Sequence, residues 1–228
     1  MSVEGSTGCN GGVRSRLLLC GVIGPVIFVA SFLVQGALRS GYEPLRHPVS
    51  SLSLGRSGWV QMATFWVTGL LIAAYAVGLR RAGCGWWTPV LVGLVGVGLV
   101  GAGIFAADPI SGYPPGSPVP SPPTAHGITH QLFSTPVFTA LPAAMLVMTR
   151  RFLRSDERGW AWYSVLSALL FFGCFVLSSF VFNQNRVLMP VGGLCQRLAL
   201  VVGLSWLAAL AIHLRRGPVT GSSTAVAA

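Results

Sequence analysis

Six apolar stretches, each 21 to 23 residues long, fill this chain and are separated by short polar connections. A helix rises about 1.5 Å per residue, so roughly 20 apolar residues cross the ~30 Å hydrocarbon layer of a bilayer. The stretches are Leu17–Leu38, Trp59–Leu79, Trp86–Ala107, Ile128–Thr149, Trp160–Phe182 and Gly193–Leu214, and they take up more than half of the 228 residues. The pattern predicts an all-α fold, an integral membrane bundle of six transmembrane helices over residues 17–214. The flanking tails, 1–16 and 215–228, are rich in Gly, Ser, Thr and Ala and are expected to be disordered. Charged residues make up 9% of the chain, against about 25% in a soluble domain. The 29 glycines and 7 tryptophans suit helices that cross closely and end at a membrane interface.

The net charge of +10 reads as topology rather than as a nucleic-acid surface. All 15 basic residues are arginine. Ten lie at one set of span ends: Arg14, Arg16, Arg80, Arg81, Arg150, Arg151, Arg154, Arg158, Arg215 and Arg216. Four lie at the other, Arg39, Arg46, Arg56 and Arg186, and Arg197 falls inside the sixth span. Basic residues near span ends mark the cytoplasmic side. The asymmetry therefore predicts a multi-pass protein of the cell membrane with both termini cytoplasmic and the first, third and fifth connections outside. The expected partners are membrane lipids and, at an outer site, a small-molecule or lipid ligand. Five cysteines, four of them on the reducing side or inside a span, give no disulfide framework.

Two outer connections are long. Arg39–Gly58 mixes charge, Pro and Ser, and Asp108–Gly127 holds seven prolines with no Lys or Arg. The second cannot continue a helix; it is either a lid or stiff strap over the outer mouth or a disordered connector, and the sequence leaves both open. Within the bundle, the Gly-rich third span is expected to be central. Pro25, Pro136 and Pro142 are expected to kink their helices, with Thr135 and Thr139 satisfying freed backbone groups.

Ionisable groups are costly in lipid, so those in or at the ends of spans are the candidate site. They fall at one depth. Asp108 ends the third span, His126 and His130 open the fourth on one helix face, and Arg197 lies about one turn inside the sixth, beside Gln196. The shared depth predicts that Asp108, His126, His130 and Arg197 face one outer cavity. Three functional readings fit. In a structural or ligand-binding protein, Asp108 pairs with Arg197 and the histidines hydrogen-bond the lid. In a metal-dependent hydrolase, the His126/His130 pair holds a zinc-like divalent ion, with Asp108 before His47 as third donor and a water in the open position. In a transporter, the same groups handle protons or a small solute. The inner halves of the spans carry few polar groups besides Thr149 and His213, which disfavours a path through the membrane. Haem is disfavoured because two histidines one turn apart cannot clamp its opposite faces. Ser50, Ser51 and Ser53 lie near His47, and capping is the usual use of serines before a helix.

Five motifs carry a resemblance: Pro48–Gln61 (PVSSLSLGRSGWVQ), Gly103–Pro109 (GIFAADP), Gly112–Gly116 (GYPPG), His126–His130 (HGITH) and Gly193–Leu198 (GLCQRL). In order and spacing they resemble the bacterial membrane proteins grouped as domain of unknown function 998, from about the first span to the end of the sixth. The resemblance implies a six-helix membrane protein with no established activity, and a polar signature on Asp108, His126, His130 and Arg197. Many such proteins have an acidic residue after the second histidine, where this chain has Gln131; that departure weakens the metal reading. The combination of Ser, Asp and HxxxH at one membrane edge is similar, by analogy only, to alkaline ceramidases and adiponectin receptors. Here there are six spans rather than seven, and the pair lies in the fourth.

Overall fold

The computed structural model describes residues 7–184 and 189–216. Six helices account for most of them: α1 (Thr7–Leu38), α2 (Gly58–Arg81), α3 (Trp87–Ile104), α4 (Ala125–Arg154), α5 (Arg158–Gln184) and α6 (Gly192–Arg216). All six are long and apolar enough to cross a membrane. Each expected span has its helix. α1 starts at Thr7, inside the segment read as a tail. The rest of that tail and residues 217–228 lie outside the described residues. α3 stops at Ile104 rather than Ala107, because Phe105 turns to extended backbone.

Each helix packs on its neighbour in sequence, and α6 closes on α1, so the six form a ring in chain order. α3 is one member of that ring, packed on α2 and α4, and not its centre. Its glycines serve those two neighbours. A Cβ on Gly96 would lie 2.8 Å from the Gly69 carbonyl oxygen of α2, and one on Gly98 would lie 2.6 Å from the Phe133 carbonyl oxygen of α4. Only glycine permits backbones this close. α4 continues as one helix through Pro136 and Pro142. Thr135 and Thr139 donate to the carbonyls of Gln131 and Thr135, four residues back. They do not reach Leu132 and Phe138, the carbonyls that the prolines leave without a donor.

One end of the ring carries the long connections and is termed the cap end; the other carries the arginine pairs. Toward the arginine end the interior is filled. Leu18, Tyr75, Met145, Trp206 and Leu207 are fully buried. The Trp206 indole donates to Ser164 Oγ at 3.0 Å. His213 pairs with Glu157 at 2.9 Å and stacks on Trp160 at 4.3 Å between ring centres. Arg151 donates to the Gly83 carbonyl at 2.5 Å, tying α4 to the α2–α3 turn. The described cysteines Cys20, Cys84, Cys174 and Cys195 are free thiols, and burial pushes the Cys84 thiol up.

Candidate functional site

The cap end is built from two connections that fold onto each other. In the first, residues 39–57, a short 3₁₀ turn at Val49–Ser53 follows Pro48. It is seated on the start of α6, where Leu194 N–H donates to the Leu45 carbonyl at 2.9 Å. A Cβ on Gly193 would meet the His47 and Pro44 carbonyl oxygens at 2.5 and 2.6 Å, so this seat requires glycine. The second connection, residues 105–124, reaches across to it through Tyr113. That ring is buried edge-on against Tyr42 (5.1 Å between centres) and beside His47 (5.3 Å). His47 joins the two backbones. Its Nδ1 accepts from Glu43 N–H at 2.8 Å, so its Nε2 carries the proton and donates to the Ser111 carbonyl at 3.3 Å. Burial pushes the His47 imidazole below its ordinary value, with the Ser111 carbonyl and the Glu43 charge opposing the shift. The Pro-rich segment is therefore a folded cap.

The predicted residues divide among three places. Arg197 is buried and lies inside the first connection. Its guanidinium donates to the carbonyls of Pro44, His47 (2.9 Å) and Gly193 (3.1 Å) and to the Tyr42 hydroxyl. It also lies over the Phe32 and Tyr42 rings. Tyr42 passes the connection on, donating to the Pro48 carbonyl at 3.0 Å. Burial pushes the Tyr42 phenol up despite the adjacent guanidinium. Arg197 thus meets backbone oxygens where a carboxylate partner was expected, and the Asp108–Arg197 pair does not form.

Asp108 holds Thr124, the N-cap residue of α4. One carboxylate oxygen accepts from Thr124 N–H at 2.9 Å and the other from the Thr124 hydroxyl at 2.6 Å. The same hydroxyl accepts from Gly127 N–H at 3.0 Å. A carboxylate at a helix N-terminus meets both unpaired N–H groups and the positive end of the dipole. A Cβ on Gly127 would lie 2.1 Å from that carboxylate, so the close approach depends on glycine.

The histidines have unlike surroundings. His126 is exposed, with its ring against Phe105. His130 is 4% exposed, and its Nδ1–H donates to the carbonyls of Ala102 (3.0 Å) and Phe105 (2.8 Å), the free end of α3. Among the described residues no group of three or more His, Cys, Asp or Glu side chains is placed to hold a metal ion. The serines do not pair with His47 either: both its nitrogens are used on backbone, and Ser53 donates to the Ser50 carbonyl.

Beneath the cap lies a cavity of about 1080 Å³. Asp108, His130 and Gln196 line it; Arg197 and His126 do not, so the predicted four do not share one cavity. Gln196 accepts from Val49 N–H at 2.7 Å, fixing the 3₁₀ turn as part of the wall. Arg46, Ser50 and Ser111 add polar groups at the mouth, and Ser134 and Ser178 stand lower on α4 and α5. The floor is apolar: Phe28, Phe65, Leu99, Phe138, Phe175 and Leu200. Arg46 and Tyr42 lie outside the motifs noted in the sequence, whereas Tyr113, their neighbour in the cap, falls within Gly112–Gly116. Beside the cavity, Arg39, Gln35, Gln61, Ser31 and Thr64 form a hydrogen-bonded chain between α1 and α2. Its signal, two glutamines in or next to apolar spans, is visible in the sequence.

Residues 22–213 match the family model described as protein of unknown function (DUF998), and the chain belongs to that family. No curated protein and no solved structure matches it.

Proposed function

We propose that this DUF998 membrane protein binds an amphiphilic small molecule or lipid in the cavity beneath its cap. One observation carries the reading: a space of about 1080 Å³ with a polar mouth and a floor of aromatic and aliphatic side chains. Ligand sites are typically ~300–1,000 Å³, mostly apolar, with a few placed polar groups. The packed arginine end favours binding over passage. Tyr75, Met145, Trp206 and Leu207 are fully buried there, so the interior at that end is packed with bulky side chains. The arginine asymmetry supports placing both termini in the cytoplasm and the cavity on the outer face of the cell membrane. Reporter fusions at Ala228 and within the 112–121 loop test that orientation, and a cytoplasmic signal from the loop overturns it.

The binding test uses purified protein and the amphiphile 1-O-octylglycerol, with retained adducts read by native mass spectrometry. One retained equivalent is expected. Leu200→Trp, which places an indole in the cavity, should remove it. Equal retention by Leu200→Trp overturns the reading.

A further inference from the structure

His130 holds one polar atom that the fold does not use. Its Nδ1 faces two carbonyl oxygens, Ala102 and Phe105, and carbonyls only accept. Nδ1 must therefore carry the proton, and in the neutral imidazole Nε2 is a lone-pair acceptor. Among the described residues nothing donates to Nε2, and it is not one of the fully enclosed polar atoms left without a partner. A side chain 4% exposed thus directs its remaining acceptor into the cavity it lines. Three supports fix the ring: the two carbonyls on one side and the Phe65 ring, 6.1 Å away edge to face. It cannot turn to satisfy Nε2 without giving up the end of α3.

We infer that His130 Nε2 is the polar anchor of the cavity and selects ligands that present a neutral hydrogen-bond donor, a hydroxyl, at the head of an apolar chain. The inference rests on the binding role proposed above and specifies its ligand class. A buried acceptor left unpaired costs free energy, so a ligand without a donor leaves that cost in place. The apolar floor formed by Phe138, Phe175 and Leu200 takes the chain. Arg46 and Asp108 line the same cavity with opposite charges, so neither a cationic nor an anionic head meets a one-sided field, and an uncharged hydroxyl supplies the donor that Nε2 accepts.

The test compares 1-O-octylglycerol with its dimethyl ether, which has the same chain and no donor. Wild-type protein should retain the alcohol roughly three- to tenfold more strongly, the worth of one neutral hydrogen bond. His130→Phe should bring the ratio to about one, since it removes the acceptor. Because His130→Phe also loosens the end of α3, a second measurement uses the intact chain labelled with ¹⁵N-histidine. The His130 Nε2 resonance should move upfield with the alcohol and stay in place with the ether. A wild-type ratio of about one, or an Nε2 resonance that ignores the alcohol, overturns the inference. If Leu200→Trp still removes both ligands, the binding role stands without it; if it removes neither, the binding role falls as well.

Discussion

At the arginine end the ring is filled to its axis by side chains that are 0% exposed, whereas at the cap end the same six helices part around about 1080 Å³. The two ends also use polar side chains differently. At the arginine end single contacts tie one element to the next: His213 to Glu157, Trp206 to Ser164, and Arg151 to the Gly83 carbonyl. At the cap end three of the predicted residues hold the irregular backbone. Arg197 gathers the carbonyls of the first connection, Asp108 holds the N–H and hydroxyl of Thr124 at the start of α4, and His130 takes the last carbonyls of α3. Loops at membrane depth need such partners, because lipid offers none. Most of the charge in the predicted site is therefore explained by holding irregular backbone around a hollow. The second nitrogen of His130, in a side chain that lines the hollow, has no such backbone partner among the described residues.

The largest effect should come from Arg197→Ala. It strips donors from the carbonyls of Pro44 and His47 and from the Tyr42 hydroxyl at once. Charged hydrogen bonds of this kind are worth about 1.5–3 kcal/mol each when lost, so a loss on the order of 3 kcal/mol is expected. Arg197→Lys should recover only part of it, since one ammonium cannot reproduce the guanidinium fork. Thermal unfolding in detergent measures both. A midpoint unchanged in Arg197→Ala would mean that the cap end does not depend on this residue.

A matched pair of overpacking substitutions compares the ends directly. Leu207→Trp enters a site that is 0% exposed and already filled, where excess volume costs about 1–3 kcal/mol. Leu200→Trp, two turns nearer the cap on the same helix, enters the cavity and should cost less than about 1 kcal/mol. Equal losses would show that the cavity closes in solution.

The spans were legible because the bilayer sets both length and composition, and these can be counted along the chain. The partners of Arg197 were not. They lie about 150 positions away, at Pro44 and His47, and only the folded shape of the first connection brings their carbonyls to α6. Pairing charge with charge also misdirects here, because backbone carbonyls can accept the hydrogen bonds of a guanidinium without a carboxylate. The i, i+4 spacing placed His126 and His130 on one face, yet it could not tell which of them the neighbouring helix end would cover. Gln35 and Gln61 are visible in their apolar spans, but an uncharged amide does not by itself mark a site; their bond to each other does, and it exists only in the fold.

A smaller effect should follow pH. His47 is buried neutral, with its imidazole held below the ordinary value of about 6.5. Its folded value is depressed, so the unfolded chain takes up protons first. Its contribution is intact above about pH 6.5 and is lost as pH falls toward the folded value. Protonation would also put a hydrogen on Nδ1, against the Glu43 N–H that Nδ1 now accepts from. The unfolding midpoint should therefore drop as the pH falls below about 6.5, and less in His47→Gln than in the native chain. An identical pH dependence in both would assign the drop to other groups.

The smallest effect belongs to His126, and it separates the two histidines. His126 is exposed and touches only the Phe105 ring, so His126→Ala should shift stability by no more than about 0.5 kcal/mol. It should leave 1-O-octylglycerol retention unchanged, while His130→Phe alters it. The comparison also bears on the hydrolase reading, in which the two residues act as one unit. A catalytic zinc site takes three protein ligands, and the third donor proposed for it, Asp108, has both oxygens engaged by Thr124. Elemental analysis of protein purified without chelators should then give zinc well below one equivalent, also after reconstitution. Stoichiometric zinc that disappears in both His126→Ala and His130→Phe would reverse this. It would require Asp108 to leave the start of α4 and His130 to release the end of α3, making the cap end a metal centre rather than a binding pocket.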